Sequence, residues 1–492
     1  MPATEAWAIL AAAGAACIAA VELFLRWPFI ARIEAVNRVS HRVLDTVRSE
    51  RISDHWKEQV LPRYAGRILL ASLQLAGLLV LWLAAVSAVY VLVAAAISRD
   101  WAFATESLAS GRVQLLLVGL GVGWGFIRSR IGGNGATEDY SPASKMLHRL
   151  ALDSLGVRDL SCRVDQALAG KKVRTTTVQQ PVYVTGLARA GTTIVLESLY
   201  ASGEFASLTY RSMPFVMAPW TWGAMAGSGR NDGEKRERAH GDRIRIGQDS
   251  PEAFEEVFWN TYTGRDTLVP GGLKPAGEPN NALLERYRDW VRRILARDQR
   301  RTGLAQPRRY LAKNNNHVLR IDALRAAFPD AIIVTPFRDP LRHALSLLRQ
   351  HQRFLARHGQ DPFALEYMNW LGHHEFGAGH RPFLVGDQQR PENAGALLDP
   401  RYWLDYWTEV HAWLLETHGD QLIWLDYEQL CTTPGRALAE LASRLGLPTD
   451  ALADQAAGIS APAPIDTAGL DITVPGRTEA LYQALRTRAA RD

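Results

Sequence analysis

Between Leu69 and Ile97 the chain runs for 29 residues without one charged side chain. A helix crossing the hydrocarbon core of a bilayer needs about 20 apolar residues, because each backbone polar group there must be satisfied within the segment. At ~1.5 Å per residue this run makes a helix of about 43 Å, which tilts or protrudes. Two more apolar runs flank it. Trp7 to Leu25 is broken only by Glu22, and Val113 to Ile127 carries no charge. The expectation is an α-helical membrane region of about three transmembrane helices over residues 1–130. The stretch Met1 to Ala6 has no Lys or Arg, so the first run reads as an uncleaved anchor and not as a secretory signal.

The loops set an orientation. Residues 26–67 hold Arg26, Arg32, Arg38, Arg42, Arg48, Arg51, Lys57, Arg63 and Arg67, whereas 98–112 hold only Arg99 and Arg112. Cytoplasmic loops are enriched in Lys and Arg. The expected arrangement is multi-pass in the inner (cytoplasmic) membrane, with 26–67 and everything after Ile127 facing the cytoplasm. Ile30, Ile33, Val36, Val39, Val43 and Val47 recur at helical spacing and predict an amphipathic helix along the bilayer or against the other helices.

Composition removes several function classes. Charged residues make up 22%, which excludes wholesale disorder. The balance of 56 Lys+Arg against 51 Asp+Glu gives a net charge of +5, too mixed to imply nucleic-acid binding. Cys17, Cys162 and Cys431 lie far apart, so neither a disulfide framework nor a Cys-rich zinc site is expected.

A Gly-rich stretch, 131–139, opens a linker and approach helix over 131–178. From 179 short β runs alternate with helical stretches. VYVT (182–185), RIRI (243–246), RYLA (309–312), AIIVT (331–335) and LIWLDY (422–427) read as strands. Helices are expected at Thr193–Ala201, Pro251–Trp259, Ala282–Ala296, His317–Ala327, Leu341–Arg357 and Pro434–Leu445. This alternation predicts an α/β domain over 179–460, three-layered with a central parallel sheet. Residues 358–400 read as an insertion, and 461–492 as a C-terminal tail.

The segment from Tyr183 to Leu199, YVTGLARAGTTIVLESL, is a strand, a glycine loop and a helix in direct succession. Such a turn aims backbone N–H groups and the positive end of a helix at one point, a site for a phosphate-like anion. Gly186 and Gly191 have the spacing of the triphosphate-binding loop, GxxxxGK[ST], and Thr193 stands at its Ser/Thr position. Its lysine position is Thr192, and the positive charge stands upstream at Arg189. Without that lysine a Mg-bound triphosphate loses its clamp. Further along, AIIVTPFRDPLRHALS (331–346) ends a strand at Arg338 and starts a helix at Pro340. Ser346 follows two turns into that helix, so a guanidinium suited to bidentate phosphate capture and a hydroxyl meet at a neighbouring strand end.

Together the two segments resemble the sulfotransferase family. The G-x-x-R-x-G-T-T loop is similar to its site for the 5′-phosphosulfate of PAPS (3′-phosphoadenosine 5′-phosphosulfate). The R-D-P-x-x-x-x-x-S segment resembles its 3′-phosphate site, and LDYEQL (425–430) with Pro434 and LGLP (445–448) is a third likeness. The resemblance covers about 179–450 and leaves the membrane region outside. Soluble members often carry Lys where Arg189 stands, and an RKGxxGDWK-like segment near the C-terminus that this chain lacks.

The resemblance implies a membrane-anchored transferase moving a sulfuryl group from PAPS to a hydroxyl or amine acceptor, a lipid or membrane-proximal glycan among the options. Its expected partners are the bilayer, PAPS and the acceptor, without nucleic acid or metal. Arg189, Ala190, Gly191, Thr192 and Thr193 would hold the 5′-phosphosulfate, Arg338 and Ser346 the 3′-phosphate. Lys313, after strand RYLA, could reach the transferring group. His240, in RAHGD (238–242), stands where soluble members have their catalytic His, and other branches use Glu soon after the first loop, which makes Glu204 the rival base. Gly372 to His380, GHHEFGAGH, invites a metal reading, but His374 and His380 are six apart with glycines between, unlike HExxH. A divergent phosphate-loop kinase and an inactive membrane scaffold are the alternative readings.

Overall fold

The computed structural model describes residues 3–29, 32, 54–114, 116–117, 120, 142–225, 236–237, 245–388, 393, 395–459 and 472–491. The chain divides into two units, Met1–Leu147 and His148–Asp492.

In the first unit, helices α1 (Ala3–Arg26) and α2 (Asp54–Ser98) contain two stretches long and apolar enough to cross a membrane, Thr4–Phe24 and Pro62–Ser98. Ala8, Ala12 and Ala16 recur every fourth residue on α1 and are buried. Tyr90, Ala94 and Ala95 of α2 are buried as well, and Ala12, Ala16, Tyr90, Ala94 and Ala95 form one cluster. Small residues let two backbones approach closely, which is how helices associate where lipid removes the hydrophobic drive. Trp82 Nε1 donates to the Ala20 carbonyl at 2.9 Å. Leu69, Leu70, Leu73, Val80, Leu81 and Leu92 point outward, as lipid-facing side chains do. Most of the third apolar run and the amphipathic stretch 30–47 lie outside the described residues, so two candidate spans stand where about three were expected.

The second unit is built on five parallel strands: β1 (Val182–Val184), β2 (Phe205–Ala206), β3 (Arg309–Lys313), β4 (Ile332–Phe337) and β5 (Leu422–Asp426). Their order is β2–β3–β1–β4–β5. Val184 pairs with Lys313 on one side and Val334 on the other. Side chains alternate across the sheet. Val182, Val184, Leu311 and Val334 join one apolar cluster with Leu196, Leu199, Leu438 and Leu441. Tyr183, Tyr310 and Ile333 face the other, with Trp259, Tyr287, Trp290 and Trp407. Both faces are thus covered, as a parallel sheet requires.

The helices that matter for the site are α3 (Thr192–Ala201), α4 (Asn281–Thr302), α5 (Pro340–Gln360), α6 (Pro400–His418) and α7 (Gly476–Arg491). Asp339 caps α5 by accepting from Arg342 N, with Pro340 in the first turn. Two expectations are corrected. Arg245–Ile246, within RIRI, forms a two-residue antiparallel pair with Arg236–Glu237 and does not join the main sheet. Residues 461–492 include the ordered helix α7, whose Tyr482 and Leu485 are buried in the core. The edge strand β2 and the helices Pro362–Trp370 and α6 were not read from the sequence.

Candidate active site

The carboxyl ends of β1, β3 and β4 converge on one place. After β1, Gly186 takes φ +133°, Arg189 +72° and Gly191 +96°. A Cβ on Gly191 would stand 2.6 Å from the Tyr427 ring, and one on Gly186 3.2 Å from the Pro336 carbonyl, so both glycines are required by space and by backbone. Gly191 offers no side chain to cap α3, and the first N–H groups of a helix lack partners within it. The result is the amino end of a helix that opens directly from the glycine loop, an arrangement suited to an anion, with Thr192 buried at its start.

Two groups brace the loop. Thr185 Oγ1 donates to the Asn314 carbonyl at 2.9 Å, tying β1 to the end of β3. His343 Nε2 donates to the Ala188 carbonyl at 2.7 Å. Burial pushes His343 well below the ordinary imidazole range, with His411, Arg338 and Arg189 adding to the shift, so it stays neutral. His343 was missed in the sequence, although it lies one helical turn before Ser346 on the same face of α5.

Arg189 Nε donates to Ser346 Oγ at 3.4 Å, joining the two motifs across 157 positions. Arg338, nearly buried, lays its guanidinium over the Tyr427 ring at 4.9 Å and turns Nε toward Glu428 at 3.8 Å. Glu428 accepts from Asp339 N at 3.1 Å and from the Tyr482 hydroxyl at 3.5 Å. Burial raises it to about 7. The neighbouring Asp426 caps its helix and receives Arg486 of α7 at 3.2 Å. The LDYEQL segment thus packs on Arg338 and Asp339 from the β5 side.

Lys313 ends β3 beside β1 and is almost buried. The asparagines after it are committed one by one. Asn314 Nδ2 donates to Glu256, which also pairs with Arg320 at 2.9 Å, Asn315 Nδ2 donates to Glu375 at 2.7 Å, and Asn316 Nδ2 donates to the Gly372 carbonyl at 3.0 Å. This run therefore holds the 372–380 segment against the anion loop. His374 Nδ1 donates to the Gly379 carbonyl, and His380 bonds the Glu375 carbonyl and the Tyr402 hydroxyl. Those histidines fasten the insertion. His240 lies outside the described residues. Glu204 is exposed before β2, and its carbonyl accepts from Arg309 at the start of β3, the end of the sheet away from the loop. It does not join the site.

A parallel α/β sheet with a glycine loop, an open helix end and converging arginines defines an anion-handling enzyme domain. Residues 181–375 match the model of a sulfotransferase family, which supports sulfuryl transfer as the activity of this part of the chain. Among solved structures it is similar to the sulfotransferase STF9 from Mycobacterium avium, at 16% identity over 72% of this chain and 87% of that one, with a TM-score of 0.39. It is also similar to STF1 from Mycobacterium tuberculosis H37Rv (16%, 74% and 90%, TM-score 0.34). A third likeness is the sulfotransferase domain of the Synechococcus PCC 7002 olefin synthase (14%, 64% and 98%, TM-score 0.28). No curated protein matches.

Proposed function

We propose that this enzyme takes its sulfuryl group from PAPS, without a metal, and passes it to a hydroxyl acceptor at a membrane. The observation that carries the reading is the Arg189–Ser346 contact, which brings the 5′-side loop and the 3′-side segment together. Arg189 with the amides of Ala190, Gly191, Thr192 and Thr193 holds the 5′-phosphosulfate, and the Thr192 and Thr193 hydroxyls add donors. Arg338 and Ser346 take the 3′-phosphate. PAPS supplies an activated sulfuryl group, and the protein supplies position and charge compensation, as in phosphoryl transfer. Lys313, at the end of β3 beside the loop, stabilises the charge that grows on the leaving oxygen.

Thr192 at the lysine position argues against the kinase alternative, whose triphosphate would lose its clamp. The test is calorimetry on the detergent-solubilised full chain. Adenosine 3′,5′-bisphosphate should bind without Mg²⁺ and far more tightly than ATP. Mg-dependent ATP binding with no bisphosphate binding would overturn the proposal.

A further inference from the structure

The approach helix, Leu155–Arg174, is apolar on the side where a water-facing domain is polar. Arg158, Cys162, Asp165 and Ala169 recur at spacings of four, three and four, which gathers them on one face, and all are buried. Asp165 anchors that face. Arg293 Nη1, Thr221 N and Thr221 Oγ1 each donate to it at 2.6 Å. Leu160, Val164 and Ala167 repeat the same spacing two residues on, about 200° round the helix, with Leu168 beside them. On this opposite face Leu160 is 61% exposed, Val164 47% and Leu168 64%. A helix packed on a water-facing domain carries its charges outward, whereas this one turns Arg158 and Asp165 inward and its leucines outward. Leu150, on the preceding helix (Pro142–Leu152), is exposed as well.

Resting on the reading of residues 1–130 as membrane-inserted, we propose that this outward face docks on the surface of the same bilayer, with Leu160, Val164 and Leu168 at the boundary between headgroups and acyl chains. Charge selects a lipid surface as the occupant. The Arg163 side chain stands on the apolar face, 67% exposed, Arg174 closes the helix, and Lys171 and Lys172 follow its break at Gly170, φ +68°. Of the two acidic residues, Asp165 is buried and Asp159 is shared by Arg163 at 2.7 Å and Arg286 at 3.1 Å. An apolar stripe bordered by Arg and Lys is the pattern of a helix lying in the plane of an anionic membrane surface. The tether selects the same occupant. Only residues 128–141 separate the last uncharged run from the helix Pro142–Leu152, and at ~3.5 Å each they reach at most about 50 Å. A surface attached this closely meets the face at high effective concentration, so a weak intrinsic affinity is enough. The buried Asp165–Arg293 pair fixes the roll of the helix and keeps the leucines turned outward.

The experiment places an environment-sensitive fluorophore on Ala167→Cys in the full chain, reconstituted in phosphatidylcholine vesicles with or without phosphatidylglycerol, and reads quenching by lipids that carry a nitroxide near the headgroup. Cys17, Cys162 and Cys431 are buried, and wild type taken through the same labelling is the blank. Quenching at position 167 should be at least about threefold that of the same label on Leu398→Cys, another exposed leucine, and should rise about twofold with the anionic lipid. Combining Leu160→Gln, Val164→Gln and Leu168→Gln should bring it down to the Leu398 level and leave the melting temperature in detergent at the wild-type value. Quenching at 167 no greater than at 398 would overturn the dock. A label at 167 shielded from aqueous iodide yet unquenched by lipid would give the face to a protein, a second copy included, and overturn it too. A lowered melting temperature in the triple variant would make the face part of the protein's own packing, against the proposal. Alkaline carbonate washing separates the two readings. A chain that stays with the vesicles without quenching at 167 loses the dock alone, and a chain that washes off loses the membrane reading first, and this inference with it.

Discussion

Arg338 is held between a ring that favours its charge and a carboxyl that competes for it. The Tyr427 face lies 4.9 Å from the guanidinium, and Glu428 approaches its Nε at 3.8 Å. If Arg338 binds the 3′-phosphate, Arg338→Ala removes a charge-assisted contact of ~1.5–3 kcal/mol and should weaken bisphosphate binding by about 10–100-fold in a calorimetric titration. Glu428 adds a pH dependence. Burial raises it to about 7, the Asp339 amide opposes, Asp426 and Asp339 add to the rise, and Arg338 opposes. Below that value the carboxyl is neutral and leaves Arg338 to an anion, and above it the ionised carboxyl competes with the phosphate. Affinity should therefore fall as pH is raised from about 6 to about 8, and Glu428→Gln should flatten that profile. A wild-type affinity flat across this range would show that Arg338 does not share its charge with Glu428. Arg338 and Ser346 were read from a local spacing in the sequence. Glu428 was legible only as part of a motif, since its role depends on α7 folding back with Tyr482 and Arg486.

Two histidines of α5 also fasten the 372–380 segment, and they do so by accepting. Gly377 N donates to His351 Nδ1 at 3.2 Å and Ala378 N donates to His358 Nδ1 at 3.2 Å. Protonation at Nδ1 would abolish both acceptors. Burial lowers His351 and His411 to about 4 and His380 to about 3, so the folded chain holds all three neutral. An unfolded histidine titrates near ~6.5. Between about pH 6.5 and 4 the unfolded chain binds more protons, so this part of the stability is complete at pH 7 and is lost on acidification. The melting temperature of the full chain should drop from pH 7 to pH 5, and His351→Gln should reduce the drop. A melting temperature constant over that interval would contradict the account. At the anion loop, Gly191→Ala would force a Cβ within 2.6 Å of the Tyr427 ring at φ +96°. The backbone alone should cost about 1–2 kcal/mol, and bisphosphate binding should fall with it. Strands β1, β3, β4 and β5 were visible in the sequence as short apolar runs. The edge strand β2 is two residues long and has no period to detect. Helix α6 starts where the 358–400 insertion ends and was not read, because its burial comes from partners distant in sequence. RIRI alternates as a strand should, but its pairing is local, and periodicity does not report the partner.

At the scale of the whole chain, the arrangement across the membrane follows from charge and chemistry together. The stretch 26–67 carries nine Lys and Arg, and on the charge rule we propose that it faces the cytoplasm. On the PAPS reading the donor carries several anionic groups, and charge is costly to bury in a bilayer, so we propose that the catalytic unit shares the cytoplasmic side with 26–67. If the two candidate spans of α1 and α2 both cross, and 26–67 is cytoplasmic, the chain at 98–112 stands on the outer side. Putting the catalytic unit back on the cytoplasmic side requires a third crossing, and Val113–Ile127 is the uncharged run that could make it. Its 15 residues span about 22 Å as a helix, short of a ~30 Å core, so the bilayer would thin there or flanking Arg112 and Arg128 would reach outward to the headgroups. A C-terminal green fluorescent protein fusion should accordingly be bright and a C-terminal alkaline phosphatase fusion inactive. Replacing Gly119 and Gly121 by Arg should block the third crossing and reverse both signals, because two charges near the bilayer centre cost about 5–7 kcal/mol on an insertion scale. Unchanged signals in that variant would mean that 113–127 does not cross, and that the orientation is set by α1 and α2 alone.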